Sequence, residues 1–193
     1  MRFPSRTCLA VLLFAGLPLL TVPRLSSAQS VAIEADAPAF LLGGYSGIIN
    51  VSFANGLSIA LGAGRYDVPA FVVEGQESFD EAGWKATSES IQVLRVGYRF
   101  SEPGSNGLAV HAIALNQDWR LEAERLGAAT DFRPLGLGVA GGYYFHIGRH
   151  LYAYPIAAAT YNTVYSGDTS VQGREYEVAA WQINPSVHIG WQF

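Results

Sequence analysis

Ser186 and His188 stand two residues apart in "SVHIGW". In a strand that spacing puts both side chains on one face. A hydroxyl beside an imidazole there is either the start of a nucleophile–base pair or a simple hydrogen-bonded filler of a polar interior. His111, in "VHAIAL", has no serine two residues on. His146 and His150 flank "IGR" four residues apart, a spacing that invites a metal reading but falls across a tight turn, where solvated imidazoles are expected. No carboxylate–histidine cluster has ligand spacing. The glycine-rich stretches "LLGGY" and "GLGVAGGYY" lack the helix and the Lys-Ser/Thr pair that a phosphate loop needs. Neither a cofactor nor a metal is expected.

A second constellation is electrostatic. Counted in twos along their strands, Glu34, Asp36, Glu89, Arg95 and Arg99 fall on one side, away from the large apolar residues. Charges gathered in a confined interior have to be paired or hydrated. Two uses are open: an ion-pair network that fills the interior, or a gate on a small-solute path.

What positions these residues begins after a leader. Arg2 and Arg6, the apolar run "CLAVLLFAGLPLLTV" and the small residues Ser26 and Ala28 predict a signal peptide over residues 1–28. Gly16 and Pro18 interrupt the run, which is shorter than the roughly 20 residues of a spanning helix. The single cysteine, Cys8, lies in this leader, so the mature chain offers no thiol chemistry. Removing Arg2, Arg6 and Arg24 leaves nine basic residues against 16 acidic ones, a formal charge of −7. That balance excludes nucleic acid as a partner, because phosphate contacts need a basic face. Residues 29–193 suit one domain.

This domain repeats itself. "INVSF", "VGYRF", "GGYYF" and "IGWQF" end at Phe53, Phe100, Phe145 and Phe193, and three of them carry glycine three residues earlier (Gly97, Gly142, Gly190). Short turn-rich links ("ANG", "SEPGSNG", "HIGRH") alternate with longer polar segments. Strands are predicted near 30–36, 42–54, 57–66, 88–100, 108–117, 131–146, 151–164 and 176–193. Eight is an even number, so every Phe-ending strand points the same way. Alternation is clear in four strands: Phe193, Trp191, Ile189 and Val187 oppose Gln192, Gly190, His188 and Ser186, for instance. It is ambiguous in "LYAYPIAAATYN". The polar face is rich in Gly, Ala and Ser, which suits the narrow interior of an eight-stranded barrel. The expected fold is all-β: an antiparallel up-and-down transmembrane barrel with apolar residues outside. On this reading Val96 meets lipid, and Asn50 is an inner position that tolerates a polar change.

The ending Val187-x-Ile189-x-Trp191-x-Phe193 resembles the signal by which the barrel-assembly machinery recognises outer-membrane proteins of Gram-negative bacteria. The whole mature chain resembles the small eight-stranded barrels of the OmpA/OmpX kind. That resemblance implies an outer-membrane location, a monomer surrounded by lipid, short periplasmic turns and longer external loops. It implies no activity. The expected role is structural, surface-interacting or minor solute passage. External loops can bind partners, and the acidic stretch 67–89 is the candidate there. Two alternatives remain: a lipid A-modifying enzyme, for which Ser186 and His188 would be the pair, and a secreted lipocalin-like barrel with its apolar face inside.

Overall fold

The computed structural model describes residues 30–193; the expected signal peptide lies outside the described residues. Eight strands close one barrel: β1 (Ser30–Asp36), β2 (Tyr45–Ser52), β3 (Leu57–Asp67), β4 (Trp84–Arg99), β5 (Gly107–Ala123), β6 (Ala128–Ile147), β7 (Leu151–Gly167) and, after a small hairpin of β8 (Ser170–Val171) and β9 (Arg174–Glu175), β10 (Trp181–Gln192). Each strand pairs antiparallel with its neighbours, and β10 pairs with β1. Three short α-helices, α1 (Ala37–Leu41), α2 (Ala70–Val73) and α3 (Phe79–Ala82), and a 3-10 turn at Glu124–Leu126 lie in the connections.

The links at one end are tight, and the reason is local. Between β2 and β3 the Asn55-Gly56 pair turns the chain: Gly56 takes φ +86°, and Asn55 Oδ1 accepts the Leu57 N–H at 3.1 Å. Residues 100–106 and 148–150 turn at the same end. The other end carries the helices and the β8–β9 hairpin.

The pairing fixes the barrel's dimensions. Partners followed around the wall from Gln192 pass through Ala32, Asn50, Ala60, Arg95, Ile113, Gly138 and Thr160, and return to β10 at Gln182, ten residues away. A stagger of ten over eight strands tilts them by about 40° at ordinary strand spacings. The outer face of β6 is apolar from Leu135 to Phe145. Those ten steps rise about 33 Å along the strand, or about 25 Å along the barrel axis, the height of a hydrocarbon band.

Aromatic residues mark both edges of the band. Tyr98 and Phe100 pack edge to face at the turn end, with Tyr143 beside Phe145. At the loop end Tyr161 packs against Trp181. Phe100, Phe145 and Phe193 are exposed, whereas Phe53 is half-buried. Above the band the outer surface becomes charged. Arg133 pairs with Asp118 at 2.6 Å, and Arg120 reaches Glu122 and Asp131 at 3.1 and 3.5 Å.

Four strands run past the expected limits. β4 begins at Trp84 rather than 88, β5 continues to Ala123 rather than 117, β6 begins at Ala128 and β7 reaches Gly167. β10 begins at Trp181 rather than 176. In the extensions, and at Asp131 and Phe132 beside them, the polarity of the two faces inverts: Leu121, Ala123, Phe132, Trp84 and Ala86 point inward, while Arg120, Asp131 and Lys85 point outward. Inside, these residues meet Val73, Ala82, Val171 and Tyr176 from the connections. The result is an apolar cap over the loop end, a small water-soluble core built on top of a membrane wall.

The wall has one short seam. β1 pairs with β10 only from Ala32–Gln192 to Asp36–His188, so the part of β10 that precedes His188 is paired on its β7 side alone. The helix α1 packs over that edge. Pro185 sits within it, where a missing N–H interrupts no ladder on the open side.

Candidate functional site

At mid-height the interior is tied by a single carboxylate. Glu34, on β1, is 1% exposed. Its Oε2 accepts from Arg95 Nη2 at 2.5 Å, and His188 Nδ1 lies 2.9 Å away. Its Oε1 accepts from Asn50 Nδ2 at 2.7 Å and from the Tyr152 hydroxyl at 2.8 Å. The donors come from β4, β10, β2 and β7. Four donors fill the acceptor capacity of one ionised carboxylate, and the group joins five of the eight strands. His188 Nδ1 is also 3.3 Å from Arg95 Nη1. A proton on Nδ1 makes the contact with Glu34 a hydrogen bond and that with Arg95 only a close approach.

Aromatic rings complete the filling. Tyr144 stacks on Tyr154 with centroids 4.0 Å apart and planes within 5°. Asn50 Nδ2 also donates to the Tyr144 hydroxyl at 3.0 Å, and His111 Nε2 is 2.8 Å from the Tyr154 hydroxyl. The glycine repeat explains how these groups fit. A side chain on Gly190 would collide with the Tyr152 ring, one on Gly142 with the Tyr154 ring and one on Gly97 with His111. Each repeat glycine leaves the space that a large inward ring from a neighbouring strand occupies.

The expected charge set is partly assembled. Glu34 and Arg95 form the centre described above. Arg99 is buried at the turn end without reaching Glu34; it bonds Ser101, Ser105 and His146 and lies 4.2 Å over the Tyr144 ring. Asp36 is half-buried and accepts the Ser186 hydroxyl. Glu89 is not on the inner face. Between Ser88 and Ser90 the β4–β5 register shifts, an extra residue bulges out of β4, and the alternation counted back from Arg95 reverses. Glu89 is the residue that the bulge turns outward, and it is exposed.

The alternative pair Ser186 and His188 shares the inner face, but the two side chains serve different partners. Ser186 faces Asp36, whereas His188 faces Glu34 and Arg95. No Ser186–His188 hydrogen bond forms. His146 and His150 diverge: His146 joins Arg99, and His150 stacks on Trp191 with its Nδ1 2.8 Å from the Gln192 carbonyl. His146 is therefore an interior group and not the solvated turn residue its spacing suggested. The segment 67–89 divides between α2 and α3 and the start of β4. Its Trp84 is buried in the cap, Phe71 is exposed, and Glu81 pairs with Arg174 at 2.6 Å. Of the terminal set, Val187, Ile189, Trp191 and Phe193 all face outward and are exposed.

The sequence reading missed the tyrosines as a group. Counting from Phe145 does place Tyr144 inside. Tyr152 and Tyr154 were obscured because the outward residues opposite them are Ala153, Pro155 and Ala157, which carry no strong apolar signal.

No protein-family model matches the chain, and no curated protein matches it in sequence. Three solved structures resemble it in shape. A major outer membrane protein from Thermus thermophilus is 13% identical, with a TM-score of 0.55 over 86% of this chain and 100% of that one. Neisserial surface protein A is 16% identical, with a TM-score of 0.45 over 85% of this chain and 93% of that one. The N-terminal β-barrel domain of Pseudomonas aeruginosa OprF is 12% identical, with a TM-score of 0.40 over 86% and 96%. The Thermus likeness shows the fold. With its apolar face outside and its charges inside, this is a transmembrane barrel and not a lipocalin-like one, the arrangement by which strands cross an outer membrane.

Proposed function

We propose that the protein is a structural and surface-presenting barrel of an outer membrane, neither a catalyst nor a steady pore. One observation carries this reading: the interior is filled at two heights, by the Glu34 centre at mid-barrel and by the apolar cap at the loop end. An eight-stranded wall encloses room for side chains and little more, and here those side chains bond one another. The pairs made by Ser186 and His188 support a non-catalytic role, because neither residue activates the other. The cap holds the charged loop end rigid towards the exterior, the surface through which a partner would be met.

Two measurements test the proposal. Reconstituted in planar bilayers, the barrel gives no sustained conductance steps; regular steps would overturn the sealed interior. Ser186→Ala and His188→Ala leave lipid A unchanged by mass spectrometry in cells that carry each variant. A changed acylation pattern would establish the enzyme reading instead.

A further inference from the structure

Beside the Glu34 centre four polar atoms are buried and unbonded. Among the described residues, five buried side-chain nitrogen or oxygen atoms have no hydrogen-bond partner: Asn50 Oδ1, Ser58 Oγ, Arg95 Nε, His111 Nδ1 and His146 Nδ1. The last lies apart, at the turn end. The other four belong to adjacent inner positions of β2, β3, β4 and β5, and none of their residues is more than 5% exposed. A buried donor or acceptor without a partner is costly. Four of them side by side point to a shared one.

The register sorts the atoms into two pairs, each straddling a residue with almost no side chain. In one row Asn50 is opposite Ala60, and Ala60 is opposite Arg95. The far ends of the two long side chains, Asn50 Nδ2 and Arg95 Nη2, sit on the two oxygens of Glu34 at 2.7 and 2.5 Å, which holds both side chains over Ala60. In the next row Ser58 is opposite Gly97, and Gly97 is opposite His111. His111 Nε2 is 2.8 Å from the Tyr154 hydroxyl. Its Nδ1 lies 2.5 Å from where a β-carbon on Gly97 would stand, on the side of Ser58. In each row the outer two strands are about 9.6 Å apart, twice the strand spacing. The polar atoms reach in from both sides and stop short of bonding each other, and one bridging water spans such a gap.

We propose that these four atoms are a binding site for water, with one molecule between Asn50 and Arg95 over Ala60 and a second between Ser58 and His111 over Gly97. The atoms select the ligand. Asn50 Oδ1 can only accept and Arg95 Nε can only donate, so whatever joins them has to do both. The guanidinium excludes a cation. The amide oxygen, with the Glu34 carboxylate beside it, excludes an anion. Ser58 donates or accepts, and His111 Nδ1 does either according to its tautomer, so water fits that pair in both states. Enclosed waters of this kind serve buried polar groups that would otherwise go unpaired. The pair of waters completes the filling of the closed interior argued above, and rests on that closure for its slow escape.

The test is a crystal structure of the folded barrel, grown in sodium bromide and at a resolution that shows ordered water. Oxygen density should lie about 2.7–3.2 Å from both atoms of each pair, without anomalous signal. No density between the atoms of either pair overturns the site, and so does a bromide peak there. A second measurement needs no crystal. In the barrel labelled with 15N in arginine, the Arg95 Nε–H should give a rotating-frame cross-peak to water with the sign of a long-lived contact, opposite to that of proton exchange. Ser58→Ala should leave this cross-peak in place; its loss would trace the signal to the serine hydroxyl and refute the water. Ala60→Val fills the gap between Asn50 and Arg95 and should abolish it. An absent cross-peak, one with the sign of exchange, or one undiminished in folded Ala60→Val refutes the site. Conductance in planar bilayers reads the closure separately: steady steps with both waters present overturn the closure, and a silent barrel without the waters overturns the site alone.

Discussion

Replacing Arg95 by Gln leaves Glu34 with three neutral or weakly basic donors in place of a guanidinium at 2.5 Å. Removing one partner of a buried pair typically costs about 3–5 kcal/mol. Because Asn50, Tyr152 and His188 still hold the carboxylate, Arg95→Gln should fall at the lower end, near 3 kcal/mol. Glu34→Gln should cost about the same, since it leaves Arg95 buried without any carboxylate. The double variant removes both charges and keeps two amides that can bond each other. Its cost should be no more than that of either single change, which gives a coupling near 3 kcal/mol, at the top of the range for contacting residues.

The assay is urea unfolding of the barrel in lipid vesicles, followed by tryptophan fluorescence and by the mobility difference between boiled and unboiled samples. Arg133→Gln provides the control, because Arg133 lies on the outer surface, where it pairs with Asp118. Paired with Glu34→Gln it should be additive within about 0.5 kcal/mol. If Glu34→Gln and Arg95→Gln also add, the carboxylate centre is not an energetic unit and the reasoning fails.

Three further predictions rest on the same geometry. Val96→Arg puts a cation on the lipid face and should destabilise by about 2–4 kcal/mol, whereas Lys85→Gln, on the charged outer surface above the band, should be nearly silent in the same urea assay. Gly190→Leu drives a side chain into the Tyr152 ring and should cost about 1–3 kcal/mol by overpacking; the added cost of Gly190→Leu should be smaller in a Tyr152→Ala background, where the ring it meets is gone. Changing Trp191 and Phe193 to Ser should stop assembly, so that cell fractionation finds degraded periplasmic protein; normal membrane levels would remove the assembly-signal reading.

The sequence was legible wherever the membrane does the sorting. In β2, β6 and β10 large apolar residues alternate against small or polar ones over the height of the hydrocarbon band, and the faces came out as read. Legibility failed where another solvent takes over. Above Arg133 the outer face meets water and the inner face packs on itself. Leu121 and Trp84 therefore looked like loop residues when their partners were judged by the rule for lipid. Glu89 failed for a different reason. Counting in twos assumes an unbroken strand, and the bulge at Ser88–Ser90 adds one residue that composition does not announce. Asn50 shows a third limit. As an inner polar residue it read as replaceable, yet its amide donates to Glu34, and an aspartate there would set a second carboxylate beside the first.

A barrel in lipid raises the question of why its centre should be a buried ion pair at all. Such pairs are weak evidence for stability, because well-packed apolar groups often do as well. An apolar filling, however, would not tell inside from outside in hydrocarbon, since lipid tails accept either face of an apolar strand. A one-residue slip of β1 would then carry no penalty beyond its ladder. With Glu34 and Arg95 present, the same slip turns the carboxylate into the bilayer, which costs less than the about 2–4 kcal/mol of a cation at the midplane, and leaves Arg95 buried without its partner, which costs about 3–5 kcal/mol more. The carboxylate receives donors from β2, β4, β7 and β10, so it checks the register of four strands against the fifth. β1 is also the shortest of the barrel strands and closes the seam with β10 through only five paired positions. The strand with the least ladder to define its register is the one that carries the carboxylate.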